Sequence, residues 1–134
     1  MTRAAPLIVV ADDDPDIVML VSAVLSKSGF EVASATNGTD ALELVRTRGP
    51  DLAVLDISMP HLDGIEVLKF VRSNPETAEL PVILLSARAQ EADVKNGYAV
   101  GASKYMRKPF SPSELVAVVR ELLPDQDGGF KGAD

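Results

Sequence analysis

The sequence predicts a doubly wound α/β fold, in which a five-stranded parallel sheet carries helices on both faces. Short runs rich in β-branched residues alternate with segments of helical periodicity along the 134-residue chain. Runs such as LIVVA at 7–11 and LPVILLSA at 80–87 are almost continuously apolar, which is typical of strands buried on both faces. Five such strands alternating with five helices indicate a single α/β domain.

The five predicted strands are short, and the first, third and fourth are the most apolar. Right-handed crossovers between parallel strands place the connecting helices on both faces of the sheet, which explains why these strands lack a polar face. The predicted strands are 7–11 (LIVVA), 30–35 (FEVASA), 51–55 (DLAVL), 81–86 (PVILLS) and 103–106 (SKYM).

The helices are predicted from apolar spacing and from capping residues. Asp14 followed by Pro15 is a typical helix start, and Gly29 is a typical helix stop. The last helix begins at Ser111-Pro112-Ser113-Glu114, which has the sequence of a capping box, and it ends before Pro124. Between these two, helices are predicted over roughly 39–47, 63–73 and 90–98, the last on the thinnest apolar face.

The amino-acid composition limits the classes of protein to which the chain can belong. Thirteen basic against 20 acidic residues give a net charge of −7, which disfavours direct binding to nucleic acid. The chain has no cysteine, so disulfides and thiolate sites are excluded, and its apolar runs are too short to cross a membrane. We expect a cytoplasmic domain over residues 1–124, followed by a disordered polar tail at 125–134 (DQDGGFKGAD).

Polar side chains follow four of the predicted strands where each strand ends. Asp12 and Asp13 follow the first strand, Asp56 the third, Ser86 ends the fourth, and Lys108 comes after the fifth. Ligands of doubly wound folds bind at the carboxyl ends of the strands, so we expect these five groups to meet at one edge. Asp14 is instead expected to cap the first helix.

Three carboxylates in one small space repel one another, and a cation would relieve this repulsion. Mg²⁺ prefers oxygen ligands, keeps several waters and is often shared with phosphate oxygens. Together, Mg²⁺ and the Lys108 ammonium add about three positive charges, which balances the three carboxylates. The residues themselves therefore predict an acidic, magnesium-binding site.

Four segments resemble the receiver domains of two-component response regulators, in the order and spacing of that family. They are VVADDDPDI, DLAVLDISMPHLDG, LPVILLSA and GASKYMRKPF, and the likeness extends from about residue 6 to residue 123. The resemblance implies the strand order 2-1-3-4-5, for which a member of this family is a standard example. It also implies that a sensor histidine kinase or a histidine phosphotransfer protein donates a phosphoryl group.

The resemblance assigns a role to each residue of the site. Asp56 would be the nucleophile and would become a 4-aspartylphosphate, Lys108 would pair with a phosphoryl oxygen, and Ser86 would donate a hydrogen bond to another. The Mg²⁺ ion, or Mn²⁺, would be held by Asp12 (mainly through water), by Asp13 and Asp56 directly, and by the backbone carbonyl of Ser58.

The resemblance also implies a switch. Ser86 would move toward the phosphoryl group, and Tyr105 would rotate into the space it leaves, which would change a partner-facing surface over about residues 90–120. That surface would contact a downstream protein or an output domain, or form a phosphorylation-dependent dimer. Pro109 matches the family's cis proline, whereas Ser58 and Arg88 occupy variable positions that tune the lifetime of the phosphoryl group.

Two other functions remain open from the residues alone. A haloacid-dehalogenase-like phosphatase also uses an aspartyl phosphate with Mg²⁺, and Asp12-x-Asp14 imitates its paired aspartates, although Pro15 and Asp16 fit its motif poorly. A phosphorylation-independent interaction module is the second alternative. His61, the only histidine, is expected to be an exposed loop residue.

Overall fold

A computed structural model describes residues 5–87 and 91–123 and has the predicted α/β architecture. All four strand pairings are parallel, and the sheet order is β2-β1-β3-β4-β5. The strands are β1 (Leu7–Ala11), β2 (Glu31–Ala35), β3 (Leu52–Asp56), β4 (Val82–Ser86) and β5 (Lys104–Arg107).

The five helices follow the strands in strict alternation. The caps at Asp14 and Ser111 agree with the sequence prediction. The side chains of these two residues and of Asp63 each accept a hydrogen bond from a backbone N–H of the first turn. The helices are α1 (Pro15–Lys27), α2 (Gly38–Arg48), α3 (Gly64–Ser73), α4 (Glu91–Val100) and α5 (Pro112–Leu122).

Two apolar cores lie on opposite faces of the sheet. One contains alternate strand residues such as Val9 and Leu84 together with Val67 and Leu68 of α3. The other contains the intervening residues, such as Ile83, packed against α1 and α5. Because both faces are covered, every residue of β1, β3 and β4 is buried, which explains their continuous apolar character.

The predicted boundaries were wrong by one or two residues at several ends. The fifth strand is shifted by one residue, to Lys104–Arg107 from the predicted 103–106, and α2 is longer than the predicted 39–47. Asn37 caps α2 by accepting a hydrogen bond from the N–H of Asp40 at 2.8 Å, so the helix begins at Gly38.

The predicted tail at 125–134 lies outside the described residues. Among those described, no helix has the length and apolar character needed to span a membrane.

Candidate functional site

The structure brings the five predicted polar residues to the carboxyl edge of the sheet. Asp56 and Ser86 are the last residues of β3 and β4, and Asp12 directly follows β1. The N–H of Lys108, which follows β5, donates to the carbonyl of Ser86 at 2.8 Å, so the ends of β4 and β5 are joined. The ends of four strands therefore form one site, as the sequence predicts.

Three carboxylates form a compact acidic cluster, here defined as Asp12, Asp13 and Asp56. Each offers an oxygen that lies within 4.8 Å of the other two. Asp12 and Asp56 are buried, with 0% and 3% of their surface exposed, whereas Asp13 is exposed. The cluster thus has a buried floor and one side open to solvent.

A divalent cation of the hard, oxygen-binding class fits this donor set. Mg²⁺ takes one or two protein carboxylates and retains water at its other positions, and the exposed side at Asp13 leaves room for such water. Nitrogen and sulfur ligands, which softer metals prefer, do not contribute to this cluster. The acidic cluster therefore suits Mg²⁺ or Mn²⁺.

Lys108 bridges the two buried carboxylates. Its Nζ lies 2.7 Å from Oδ2 of Asp12 and 3.3 Å from Oδ1 of Asp56. Burial disfavours the ammonium form, but the hydrogen bonds and negative charges of Asp12 and Asp56 outweigh burial and raise the pKa of Lys108. Lys108 therefore stays charged and supplies one positive charge to the cluster.

One ammonium does not neutralise three carboxylates. Burial, and after it the negative charge of Asp12, raise the pKa of Asp56 from 3.8 to about 6, although Lys108 acts in the opposite direction. Ionised Asp56 is thus held at a free-energy cost in the metal-free protein. A bound divalent cation would remove much of that cost.

Asp12 and Asp14 have different tasks, as the sequence predicts. The carboxylate of Asp12 accepts a hydrogen bond from the N–H of Asp14 at 3.0 Å, which orients it toward Lys108. The carboxylate of Asp14 turns to the helix instead and accepts from the N–H of Asp16 at 2.9 Å. Asp14 is therefore a helix cap outside the acidic cluster.

The loop after β3 is held against its neighbours by two glycines. A Cβ at Gly64 would lie 2.3 Å from the carbonyl oxygen of Asp56, and a Cβ at Gly38 would meet the carbonyl oxygen of Leu62. The N–H of Gly64 also donates to the carbonyl of Ile57 at 2.9 Å. These close approaches were missed from the sequence, where only the pairs Asn37-Gly38 and Asp63-Gly64 signal them.

Ser58 lies on this loop beside an open depression. Its side chain is exposed, and the depression of about 660 Å³ extends from Asp13 across the loop. His61 is exposed in the same loop, as predicted, with a φ of 72°. A partner can therefore approach the acidic cluster from this side. The depression is lined by Asp13, Pro15, Thr36, Ser58, Met59 and Pro60.

The remaining predicted site residues lie at the β4–β5 side of the edge. Ser86 is buried at the end of β4, and Tyr105 is half-buried in β5, where it packs on the core beside Leu84. The peptide bond between Lys108 and Pro109 is cis. Arg88 lies outside the described residues.

Comparisons with known proteins agree on one family. The family model described as the response regulator receiver domain matches residues 8–120. The chain is 43% identical over 116 residues to the alkaline phosphatase synthesis transcriptional regulatory protein PhoP of Bacillus subtilis, which covers 87% of this chain and 48% of that protein. It is 40% identical over 118 residues to the phosphate regulon transcriptional regulatory protein PhoB of Rhizobium meliloti, covering 88% and 52%. The chain thus spans about half the length of these relatives.

Solved structures give the same result. A putative response regulator from Chloroflexus aurantiacus matches with a TM-score of 0.85 and 33% identity, over 90% of this chain and 98% of that one. The receiver domain of the Francisella response regulator 1452 matches with a TM-score of 0.84 and 36% identity, over 89% and 97%.

The raised pKa of Asp56 predicts how stability depends on pH in the metal-free protein. The folded state binds this proton more tightly than the unfolded chain, so ionised Asp56 destabilises the fold, and stability falls as the pH rises from about 4 to about 6. Asp56→Asn should therefore raise the free energy of unfolding by about 1–3 kcal/mol near neutral pH, and by less at about pH 4.5. Urea unfolding with a chelator present measures this.

The matched control is Asp16→Asn, which removes an exposed carboxylate from the first turn of α1. It should not stabilise the protein, because a negative charge at a helix N-terminus is favourable. A gain for Asp56→Asn that is equal at both pH values would contradict a raised pKa of Asp56 in the folded protein.

Proposed function

Because the chain belongs to the family of response regulator receiver domains, we propose that it accepts a phosphoryl group on Asp56 in a Mg²⁺-dependent reaction. We further propose that the donor is a phosphohistidine on a sensor histidine kinase or a histidine phosphotransfer protein, and that the domain acts in the cytoplasm. The observation that carries the proposal is the acidic cluster with Lys108 bridging its two buried members. A receiver is a signalling domain rather than a classical enzyme.

The residues that would hold the metal are Asp13 and Asp56, the backbone carbonyl of Ser58, and Asp12, mainly through water. When bound, Mg²⁺ or Mn²⁺ supplies positive charge that neutralises the carboxylates and the incoming phosphoryl oxygens. The open side of the acidic cluster at Asp13 and Ser58 supports this assignment.

The transfer itself needs little covalent assistance from the protein. A carboxylate oxygen of Asp56 forms a bond to phosphorus as the bond from phosphorus to the histidine nitrogen breaks. The electron pair of the broken bond stays on the imidazole. The product is an acyl phosphate. Lys108 pairs with one phosphoryl oxygen and the hydroxyl of Ser86 donates to another, so this chain contributes positioning and charge neutralisation.

The conformational change caused by phosphorylation is transmitted through the β4–β5 side of the sheet. Ser86 moves toward the phosphoryl oxygens and Tyr105 fills the space beside β4, which changes the surface over about residues 90–120. Phosphorylation acts by favouring one of two pre-existing conformations. This surface contacts a downstream target protein or an output domain, or a second copy of the phosphorylated chain. The short main-chain link from Lys108 to Ser86 supports this route.

Mass spectrometry tests the nucleophile. Incubation with acetyl phosphate and Mg²⁺ should add one phosphoryl group to the wild type and none to Asp56→Asn, because Asp56 contacts Lys108 and also ends the strand that leads into the open loop after β3. Asp16→Asn should be labelled like the wild type, and a chelator should prevent labelling. Labelling of Asp56→Asn would show that the nucleophile is misassigned, and repeated turnover of a generic phosphatase substrate would favour a phosphatase.

The lifetime of the phosphoryl group should depend on Ser58 and Arg88. In the proposed receiver these two variable positions help or hinder the attack of a water on the phosphoryl group, whereas the metal is held by other atoms. The double variant Ser58→Ala, Arg88→Ala should change the dephosphorylation rate several-fold with little change in Mg²⁺ affinity. Radiolabel decay and metal titration measure the two quantities, and equal lifetimes for wild type and double variant would refute the prediction.

The output surface is tested by NMR. Beryllofluoride with Mg²⁺ mimics the phosphoryl group, and its binding should shift the amide signals of about residues 90–120. Amides in the second half of α2, which is distant from the site, serve as the internal reference. Unchanged signals over 90–120 in a protein that binds the analogue would count against this surface.

A further inference from the structure

Helix α4 is tied to the outer edge of the sheet by a tyrosine. The hydroxyl oxygen of Tyr98 accepts a hydrogen bond from the main-chain N–H of Tyr105 at 3.1 Å. β5 is an edge strand, so the N–H groups that point away from β4 have no strand to pair with. Tyr98 supplies one of these missing acceptors, although 44% of its own surface is exposed.

The residue before Tyr98 makes room for the ring of Tyr105. A Cβ at Gly97 would lie 2.9 Å from Cδ2 of Tyr105 and 3.2 Å from Cδ1 of Leu84. Leu84 pairs with Tyr105 in the register of β4 and β5, so all three residues meet at one point. The Tyr105 ring can therefore lie directly against α4 only because position 97 has no side chain.

Two adjacent residues of α4 thus act on the two parts of Tyr105. Tyr98 accepts a hydrogen bond from its main-chain N–H, and Gly97 leaves space for its ring. A movement of α4 away from β5, or a rotation of the Tyr105 ring, must break the hydrogen bond or disrupt the packing. Because interiors are close-packed, such a contact favours discrete arrangements over continuous ones.

We propose that Tyr98 is a positioning residue that holds Tyr105 in the conformation described here, and thereby biases the receiver against its switched state. This inference rests on the proposed function, because it concerns the response of Tyr105 to a phosphoryl group at Asp56. Tyr98 itself belongs to α4 and is not a member of the acidic cluster.

The bias against the switched state should lower the affinity of Asp56 for a phosphoryl analogue. A ligand that prefers the switched state binds more tightly when the competing state is destabilised. Its affinity rises by the same factor as the population of the switched state in the unliganded protein. One partly exposed hydrogen bond corresponds to a factor of about two to five. Loss of the Tyr98 hydroxyl should therefore tighten the binding of a phosphoryl analogue at Asp56.

The experiment compares the wild type with Tyr98→Phe, which removes the hydroxyl and keeps the ring. Beryllofluoride is titrated with saturating Mg²⁺, and hydrogen exchange of the Tyr105 amide is followed in the unliganded protein. The control is Thr47→Val, which deletes an exposed hydroxyl that donates to the Glu43 carbonyl at 2.8 Å in α2, away from β5.

In Tyr98→Phe we expect faster exchange of the Tyr105 amide and about two- to five-fold tighter beryllofluoride binding, with neither change in Thr47→Val. Equal or weaker binding in Tyr98→Phe would overturn the inference, and so would unchanged exchange of the Tyr105 amide. Failure of the wild type to bind beryllofluoride at all would instead contradict the proposed function, so the two failures are distinguishable.

Discussion

Negative charge confined at the carboxyl edge of the sheet is the constraint on which the rest of this structure depends. Asp12 and Asp56 are buried beside each other, and Asp13 adds a third carboxylate within the same few ångströms. Burial, and after it the charge of Asp12, keep the pKa of Asp56 raised to about 6, because Lys108 offsets only part of their effect. Positive charge from outside the chain would offset the remainder, and a divalent cation of the oxygen-binding class fits this donor set.

The fold prevents this repulsion from relaxing by separation of the carboxylates. β1 and β3 are adjacent and buried on both faces, so their ends cannot move apart without disturbing both cores. The loop after β3 is equally constrained, since Gly38 and Gly64 bring backbone into direct contact on either side of it. On the other side of β3 lie β4 and β5, where β5 is an edge strand and Tyr98 of α4 is exposed.

Much of the fold could be predicted because its signals are local. A continuous apolar run identifies each central strand, and Asp14-Pro15, Asp63 and Ser111 mark helix starts within one turn of their own position. The errors fell at ends without such a signal, as at β5, where the apolar pattern is short and only Met106 is fully buried. At α2, Asn37 caps the helix by a side-chain contact three residues away, which composition alone does not distinguish from a turn.

The sequence by itself determined the fold class, the strands that carry the acidic groups and the three members of the acidic cluster, because strand periodicity and the parallel connections place the carboxyl ends of the strands on one edge. Only the tertiary structure decided the distances from Lys108 to its two carboxylates, the raised pKa of Asp56, the close backbone contacts at Gly38 and Gly64, and the hydrogen bond from Tyr105 to Tyr98. These features depend on burial and on contacts between segments distant in the chain, whose separation and orientation no local pattern of residues encodes.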